Sequence, residues 1–262
     1  MGLFTSTALY NYQPIVSSLA DPFLKAWYDV GNSGSYTSGS TTLLDLSGQS
    51  NTLFISGTGI TYDAVTGSLG FPQNQANYIG SNACTGLDAG FGSSSVEVWF
   101  RLNAAAQTAG STYYWIFSNG DSVNAKGDNS GSVRGFFGDT GYSNALTINY
   151  GSGSSIAYNV PFGGTILYNK SNSRGVWRQM VITREFDTVR MYVDGALAYT
   201  KTGFASQSVF TPNKLIIGKQ LDTSTFAPWY GDFSIYKQWT GKALSATEVS
   251  ASYAENRARF GK

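Results

Sequence analysis

Short runs in which apolar and polar residues alternate recur along the whole chain, each bounded by Gly, Ser, Asn or Asp. Ser95-Val96-Glu97-Val98-Trp99-Phe100, Tyr114-Trp115-Ile116-Phe117, Ala145-Leu146-Thr147-Ile148-Asn149-Tyr150 and Lys214-Leu215-Ile216-Ile217-Gly218 are examples. A period of two sends successive side chains to opposite faces of an extended strand, so one face is buried while the other meets water. Many such strands between turn residues predict an all-β sandwich or barrel. The clearest pair is Val189-Arg190-Met191-Tyr192-Val193 and Ala196-Leu197-Ala198-Tyr199-Thr200, joined by Asp194-Gly195. Asp-Gly predicts a tight hairpin, because Gly accepts the positive φ of a primed turn. One helix interrupts the pattern near the C-terminus. Ser245-Ala246-Thr247-Glu248 reads as a capping box, and Leu244 and Val249 are spaced for a hydrophobic staple, which predicts a helix over Ala246 to Asn256. The stretches 102–134 and 152–159 loosen into Ser, Asn, Gly and Ala and are expected to hold long loops.

No stretch is rich enough in Pro, Gly or charge to divide the chain, so residues 1–262 are expected to form one domain, with 1–21 either part of it or an N-terminal arm. Charged residues are 13% of the chain, against about 25% in an ordinary protein, so the surface must be largely uncharged and polar. With a net charge of +1 and no basic run, nucleic acid is not an expected partner. The chain has no histidine, which excludes Ser-His-Asp and Cys-His nucleophiles, an imidazole base and His-ligated metals. Cys84 has no second cysteine to pair with and no cationic neighbour to activate it, so it reads as a plain thiol. No apolar stretch approaches the roughly 20 residues that span a bilayer, so no membrane insertion is expected. Met1-Gly2-Leu3-Phe4-Thr5-Ser6 lacks the parts of a secretory signal. Either such a signal was trimmed or the protein is made in a cytoplasm. The hexapeptide also fits the loose N-myristoylation pattern at Gly2, one short enough to recur by chance.

From Trp177 onward an ordered set of motifs carries a resemblance. Trp177 with Val181-Ile182-Thr183, then Val189-Arg190-Met191-Tyr192-Val193-Asp194-Gly195, Leu215-Ile216-Ile217-Gly218, Tyr230-Gly231-Asp232-Phe233-Ser234-Ile235-Tyr236 and Leu244-Ser245-Ala246-Thr247-Glu248-Val249 together resemble the C-terminal half of a laminin-G-like, concanavalin-A-type domain. Leu24-Lys25-Ala26-Trp27-Tyr28-Asp29, Leu44-Asp45-Leu46-Ser47-Gly48 and Leu69-Gly70-Phe71 match its opening strands more loosely. The resemblance implies a two-sheet antiparallel β-sandwich, or jelly roll, with one short C-terminal helix. Asn256-Arg257-Ala258-Arg259-Phe260-Gly261 is similar to a tail on such domains in viral and phage structural proteins.

Three kinds of site follow. The family includes endo-glucanases whose active strand carries alternating carboxylates, and Glu185-Phe186-Asp187-Thr188-Val189-Arg190 has two acids in alternation but Arg190 in the third place. A turn is also expected there, so no residue is assigned to catalysis and the chain is read as a non-enzyme. Asn119, Asp121, Asn124, Asp128 and Asn129 offer the hard oxygen atoms that calcium takes, although Asn, Asp and Gly are equally ordinary turn residues. Asp121, Asp128 and Asn129 are the candidate ligands, and no other cofactor is expected. A glycan needs a flat aromatic surface with amide and carboxylate groups beside it. Trp229, Tyr230, Tyr113, Tyr114 and Trp239 are the candidates, with Trp229, after Pro228, expected to be exposed in a loop.

The reading these features support is a non-catalytic recognition or structural domain on a virion surface or outside the cell. Its expected partners are a glycan or another host-surface ligand, other virion or assembly proteins and, as an option, further copies of itself. A secreted lectin-like module and a glycoside hydrolase are the alternatives.

Overall fold

The computed structural model describes residues 21–74, 76–81, 83–87, 92–107, 113–119, 129–137, 146–153, 160–161, 169–203, 214–219 and 228–262. In chain order the strands are β1 (Leu24–Asp29), β2 (Thr42–Leu43), β3 (Leu53–Ser56), β4 (Thr61–Asp63), β5 (Ser68–Phe71), β6 (Tyr78–Ser81), β7 (Ser94–Leu102), β8 (Tyr114–Asn119), β9 (Asn129–Phe137), β10 (Leu146–Gly153), β11 (Val160–Pro161), β12 (Trp177–Glu185), β13 (Thr188–Val193), β14 (Ala196–Lys201), β15 (Leu215–Ile217) and β16 (Gly231–Thr240). The helices are α1 (Lys170–Ser173) and α2 (Ala246–Asn256), and a 3-10 turn follows at Arg257–Phe260. The first sheet runs β14-β13-β12-β7-β16-β5-β4, with β1 also on β16; the second runs β11-β10-β9-β8-β15-β6-β3-β2. Every strand pair within the two sheets is antiparallel. The expected jelly-roll sandwich with a C-terminal helix is what forms. Two expected loops are shorter than the composition suggests, because β9 begins at Asn129 inside one and β10 runs to Gly153 inside the other.

The core lies between the sheets and follows the alternation. On β7, Val96, Val98, Phe100 and Leu102 face inward, as do Tyr114 and Phe117 on β8 and Leu215 and Ile217 on β15. The outward side chains of the first sheet are also covered. Val181, Tyr192 and Trp239 pack against Leu244 and Val249, the two staple residues, while Trp99, Trp177 and Ile235 pack against Phe260. The Phe260 ring lies 4.4 Å from Trp99 and 4.6 Å from Trp177. Glu97 is fully buried on this face. A buried carboxylate is tolerated only when it is well supplied with donors, and Glu97 accepts from Trp99 Nε1 at 3.0 Å, Gln179 Nε2 at 2.9 Å and Ser252 Oγ at 2.8 Å.

The two local motifs form as expected. Ser245 Oγ accepts from the Glu248 amide and the Glu248 carboxylate accepts from the Ser245 amide. At the hairpin, Asp194 and Gly195 have φ of 51 and 79, the left-handed pair that a type I′ turn demands. The tail past α2 folds back as a clasp. Arg259 donates Nε to Thr66 O (2.7 Å), Nη1 to Asp29 Oδ1 (2.7 Å), and Nη2 to Gly67 O (2.6 Å) and Ser234 Oγ (2.7 Å). Gly31 and Gly67 make the room, since a Cβ on either would come within 2.5 Å of Arg259 Nη2. Among the described residues no helix is long and apolar enough to cross a membrane. Residues 1–20, with most of the proposed N-terminal arm and Gly2, lie outside the described residues.

Candidate functional site

Four of the five aromatic candidates gather at one end of the sandwich, where β7 and β15 finish and β8, β12 and β16 begin. The connections there are knit by backbone hydrogen bonds. Trp229 N–H donates to Gly218 O at 2.7 Å, Asn103 N–H to Tyr230 O at 2.9 Å, Ala106 N–H to Asn103 O at 3.0 Å and Gly175 N–H to Leu102 O at 2.7 Å. Arg174 Nη1 reaches Ala106 O at 3.4 Å. Strands that differ in sheet and in sequence position are thereby held in one rim.

Trp229 is not exposed, which corrects the expectation. Its side chain is 1% accessible, stacked 6.5 Å from Phe137 and edge-on at 5.8 Å to Phe100. The bond from its amide to Gly218 draws this segment over the end of the core, and Gly231 lets the indole lie close, since a Cβ there would sit 2.8 Å from Trp229 Cζ2 and 2.1 Å from Arg101 O. Its indole N–H is buried and has no hydrogen-bond partner among the described residues. Tyr114 is also buried: its hydroxyl accepts from the Gln107 amide at 2.9 Å, and burial raises its phenol above the usual pKa. Trp239 lies at the opposite end, under α2, with its indole N–H on Asp21 Oδ2 at 3.1 Å. These three are packing residues, because alternation on a strand, or a pull from the backbone, turns each ring into a core.

Tyr113 and Tyr230 keep part of their surface open. Tyr113 lies 6.3 Å from Trp115 with an interplanar angle of 18° and 6.0 Å from Phe136, and Trp115 and Phe136 are 4.3 Å apart. Trp115 and Phe136 are opposite each other on β8 and β9 and alternate with inward Tyr114 and Phe137, so this cluster stands on the outer face of the second sheet. The same end of the sandwich carries polar groups that sequence reasoning missed. Asn103 forms an Asx turn onto the Ala105 amide at 2.8 Å, Arg174 is exposed, and Arg101 is ion-paired to Asp232 at 2.7 Å while lying 5.2 Å from the centre of Trp177. Asn103 followed by three alanines was the one signal available for a turn leaving a strand.

Of the calcium candidates, Asp121 and Asp128 lie outside the described residues, and Asn129 opens β9. Asn119 is buried and donates to Tyr236 Oη at 3.4 Å and to Gln238 Oε1 at 2.5 Å, a bridge between the sheets. Glu185 and Asp187 do not share a strand face: Glu185 ends β12, opposite Thr188, and Asp187 lies in the turn that follows, accepting from the Gly203 amide at 3.1 Å. The alternation that suggested two flanking acids is the alternation of a turn.

The family model of the concanavalin A-like lectin/glucanases superfamily, in its laminin-G form, matches residues 73–250. The chain belongs to this superfamily. No curated protein matches it. Among solved structures, this superfamily member is similar to the binding domain of Paraclostridial Mosquitocidal Protein 1, with 14% identity and a TM-score of 0.65 over 90% of this chain and 52% of that one. It is also similar to the binding domain of botulinum neurotoxin DC in complex with rat synaptotagmin II, with 14% identity and a TM-score of 0.64 over 91% and 52%. A third is the ligand-binding domain of botulinum neurotoxin serotype D in complex with N-acetylneuraminic acid, with 12% identity and a TM-score of 0.62 over 88% and 50%. The chain therefore spans about half the length of these binding domains, and the likeness is one of fold.

Proposed function

We propose that this domain is a non-catalytic recognition module that takes a glycan, or another host-surface ligand, at its aromatic end. The observation that carries the reading is the partly open Tyr113 and Tyr230 rings at the end that also presents Asn103, Arg174 and the Arg101–Asp232 pair. Flat rings take the apolar face of a sugar, and amide, guanidinium and carboxylate groups take its hydroxyls. Solved domains of similar fold are described as binding domains, one holding N-acetylneuraminic acid and another synaptotagmin II, which supports a binding role. Against hydrolysis stand the separation of Glu185 from Asp187 and the enclosure of Glu97 under α2. A place on a virion or in an extracellular assembly rests on the resemblance of the C-terminal segment.

A glycan array with the full chain, in calcium and in chelator, tests the reading. Binding that falls about fivefold in Tyr230→Ala or Tyr113→Ala, at unchanged melting temperature, supports it; each ring face contributes on the order of 1 kcal/mol. Loss of signal in chelator adds a metal. Silence of the array across all glycans sinks the glycan reading.

A further inference from the structure

Gly70 sits inside β5, in register with Thr61 of β4 on one side and Asp232 of β16 on the other, and neither pairing has a bulge. Asp232 is in turn opposite Arg101 of β7, and Arg101 is opposite Trp177 of β12. One row of residues therefore crosses five strands of the first sheet. Leu69 and Phe71 point into the core, so the row lies on the outer face.

Glycine inside a strand costs stability, and it marks a bulge, a bend or a place where something else comes close. The register excludes a bulge at Gly70, and its φ is not in the left-handed region. At other strand glycines the thing that comes close is the protein itself: Phe117 and Met180 take the space at Gly135, and Trp229 takes that at Gly231. Nothing of the kind fills Gly70. A Cβ there would meet Thr61 Oγ1 at 2.9 Å and Asp232 Oδ1 at 3.1 Å, and the third-nearest atom is the Thr61 carbonyl oxygen at 3.9 Å. Gly70 also keeps part of its surface open to solvent. The result is a notch one side chain deep, walled by two oxygens.

The walls have hydrogen-bonding capacity to spare. Asp232 commits Oδ2 to Arg101 Nε at 2.7 Å, while its Oδ1, the Arg101 Nη groups and the Thr61 hydroxyl make no hydrogen bond among the described residues. An acceptor and a hydroxyl at the notch, with guanidinium donors beside them, suit ligand hydroxyls, each of which both donates and accepts. Asp232 and Arg101 neutralise each other, so the notch has no net charge with which to draw an ion. A ligand carboxylate would also meet Asp232 Oδ1 and, two residues along β4 from Thr61, Asp63.

We propose that the Gly70 notch is a subsite for a neutral saccharide, with Asp232 Oδ1 accepting from one hydroxyl, Thr61 Oγ1 bonding a second and Arg101 donating at the margin. This rests on the glycan reading and narrows it to an uncharged sugar that reaches from the aromatic end onto the face of the first sheet.

Two-dimensional amide NMR of the full chain, recorded as methyl glycosides of glucose, galactose and mannose are added to tens of millimolar, tests this. At least one glycoside should shift the amides of Thr61, Gly70 and Asp232. Gly70→Ala should weaken that binding about tenfold or more, because its methyl fills the space the sugar enters. It should still fold, since the two atoms it meets first are ends of side chains that can turn away. Thr61→Val, which removes a hydroxyl, should weaken binding about fivefold, the worth of one hydrogen bond of about 1 kcal/mol, and it stands in should Gly70→Ala misfold. Methyl glucuronide, which carries a carboxylate in place of the glucoside's primary alcohol, should bind more weakly than the glucoside. Shifts confined to Tyr113 and Tyr230, variants that bind like the wild type, or a glucuronide that binds more tightly than the glucoside would overturn the inference and leave the glycan reading standing. Shifts at the notch with Tyr113 and Tyr230 silent uphold it and remove the two rings from the contact. No shift with any glycoside overturns it, and the glycan array then decides the wider reading on its own.

Discussion

The Arg259 clasp permits a sharp prediction. Its guanidinium makes four hydrogen bonds, to β1, to the turn between β4 and β5 and to β16, and the ion pair with Asp29 is enclosed, at 11% and 4% side-chain exposure. Arg259→Ala removes all four and leaves the Asp29 carboxylate buried, with the Gly31 amide, at 2.9 Å, as its hydrogen-bond donor. Breaking a buried pair from one side costs about 3–5 kcal/mol, and the Phe260 ring, next in the chain, loses its anchor on Trp99. Guanidinium unfolding followed by tryptophan fluorescence should show a loss of that size, and hydrogen exchange should show α2 and the 3-10 turn opening first. A companion substitution separates this mechanism from general damage. Gly31→Ala places a Cβ 2.3 Å from Arg259 Nη2, and the three atoms it approaches most closely all belong to that guanidinium. It should therefore destabilise the wild type by about 1–3 kcal/mol as an overpacking change and be nearly neutral once Arg259 is alanine. A loss under about 1 kcal/mol for Arg259→Ala, or additivity of the two changes within about 0.5 kcal/mol, would refute the clasp.

Three further outcomes follow. Trp229→Ala, which empties a fully enclosed site, should cost about 3–5 kcal/mol in denaturant unfolding, whereas Tyr230→Ala should change stability by less than half as much. Lys242, with help from the Ser245 amide, holds the Glu248 carboxyl below its ordinary value of 4.5; a depressed acid stabilises above its unfolded pKa and loses that contribution as pH falls through its folded one. The melting temperature should thus drop on acidification below about 4.5 by less in Glu248→Gln than in the wild type, a difference worth at most about 1 kcal/mol for so exposed a pair. Burial pushes the Cys84 thiol up to about 11, so a thiol-specific disulfide reagent at neutral pH should label the unfolded chain promptly and the native one only at the rate of opening.

What the sequence made legible is what local chemistry settles. The Ser245 box, the staple and Asp194-Gly195 declare themselves within a few residues, because the groups that satisfy one another are neighbours in the chain. The alternation on β7, β8 and β15 likewise fixes which face is core. The clasp was not legible. Arg259 meets Asp29, Thr66, Gly67 and Ser234, which are brought together only by the pairing of β1 and β5 with β16. Glu97 looked like an outward strand residue and is one, but its side of the sheet is covered by a helix about 150 residues later in the chain.

The site shows the same division more clearly. Trp229 and Tyr230 are adjacent, both follow Pro228, and nothing in their residue types says which ring faces water. A single backbone bond from Trp229 to Gly218, together with the missing Cβ at Gly231, draws the indole inward and leaves Tyr230 at the rim. Phe186 is the converse case. Two acids in alternation drew attention to catalysis, while the aromatic between them, in a conformation that phenylalanine rarely adopts, is the residue the fold presents to solvent. In a sandwich rich in aromatic side chains, residue type marks which positions could serve a surface. Exposure and backbone conformation decide which ones do.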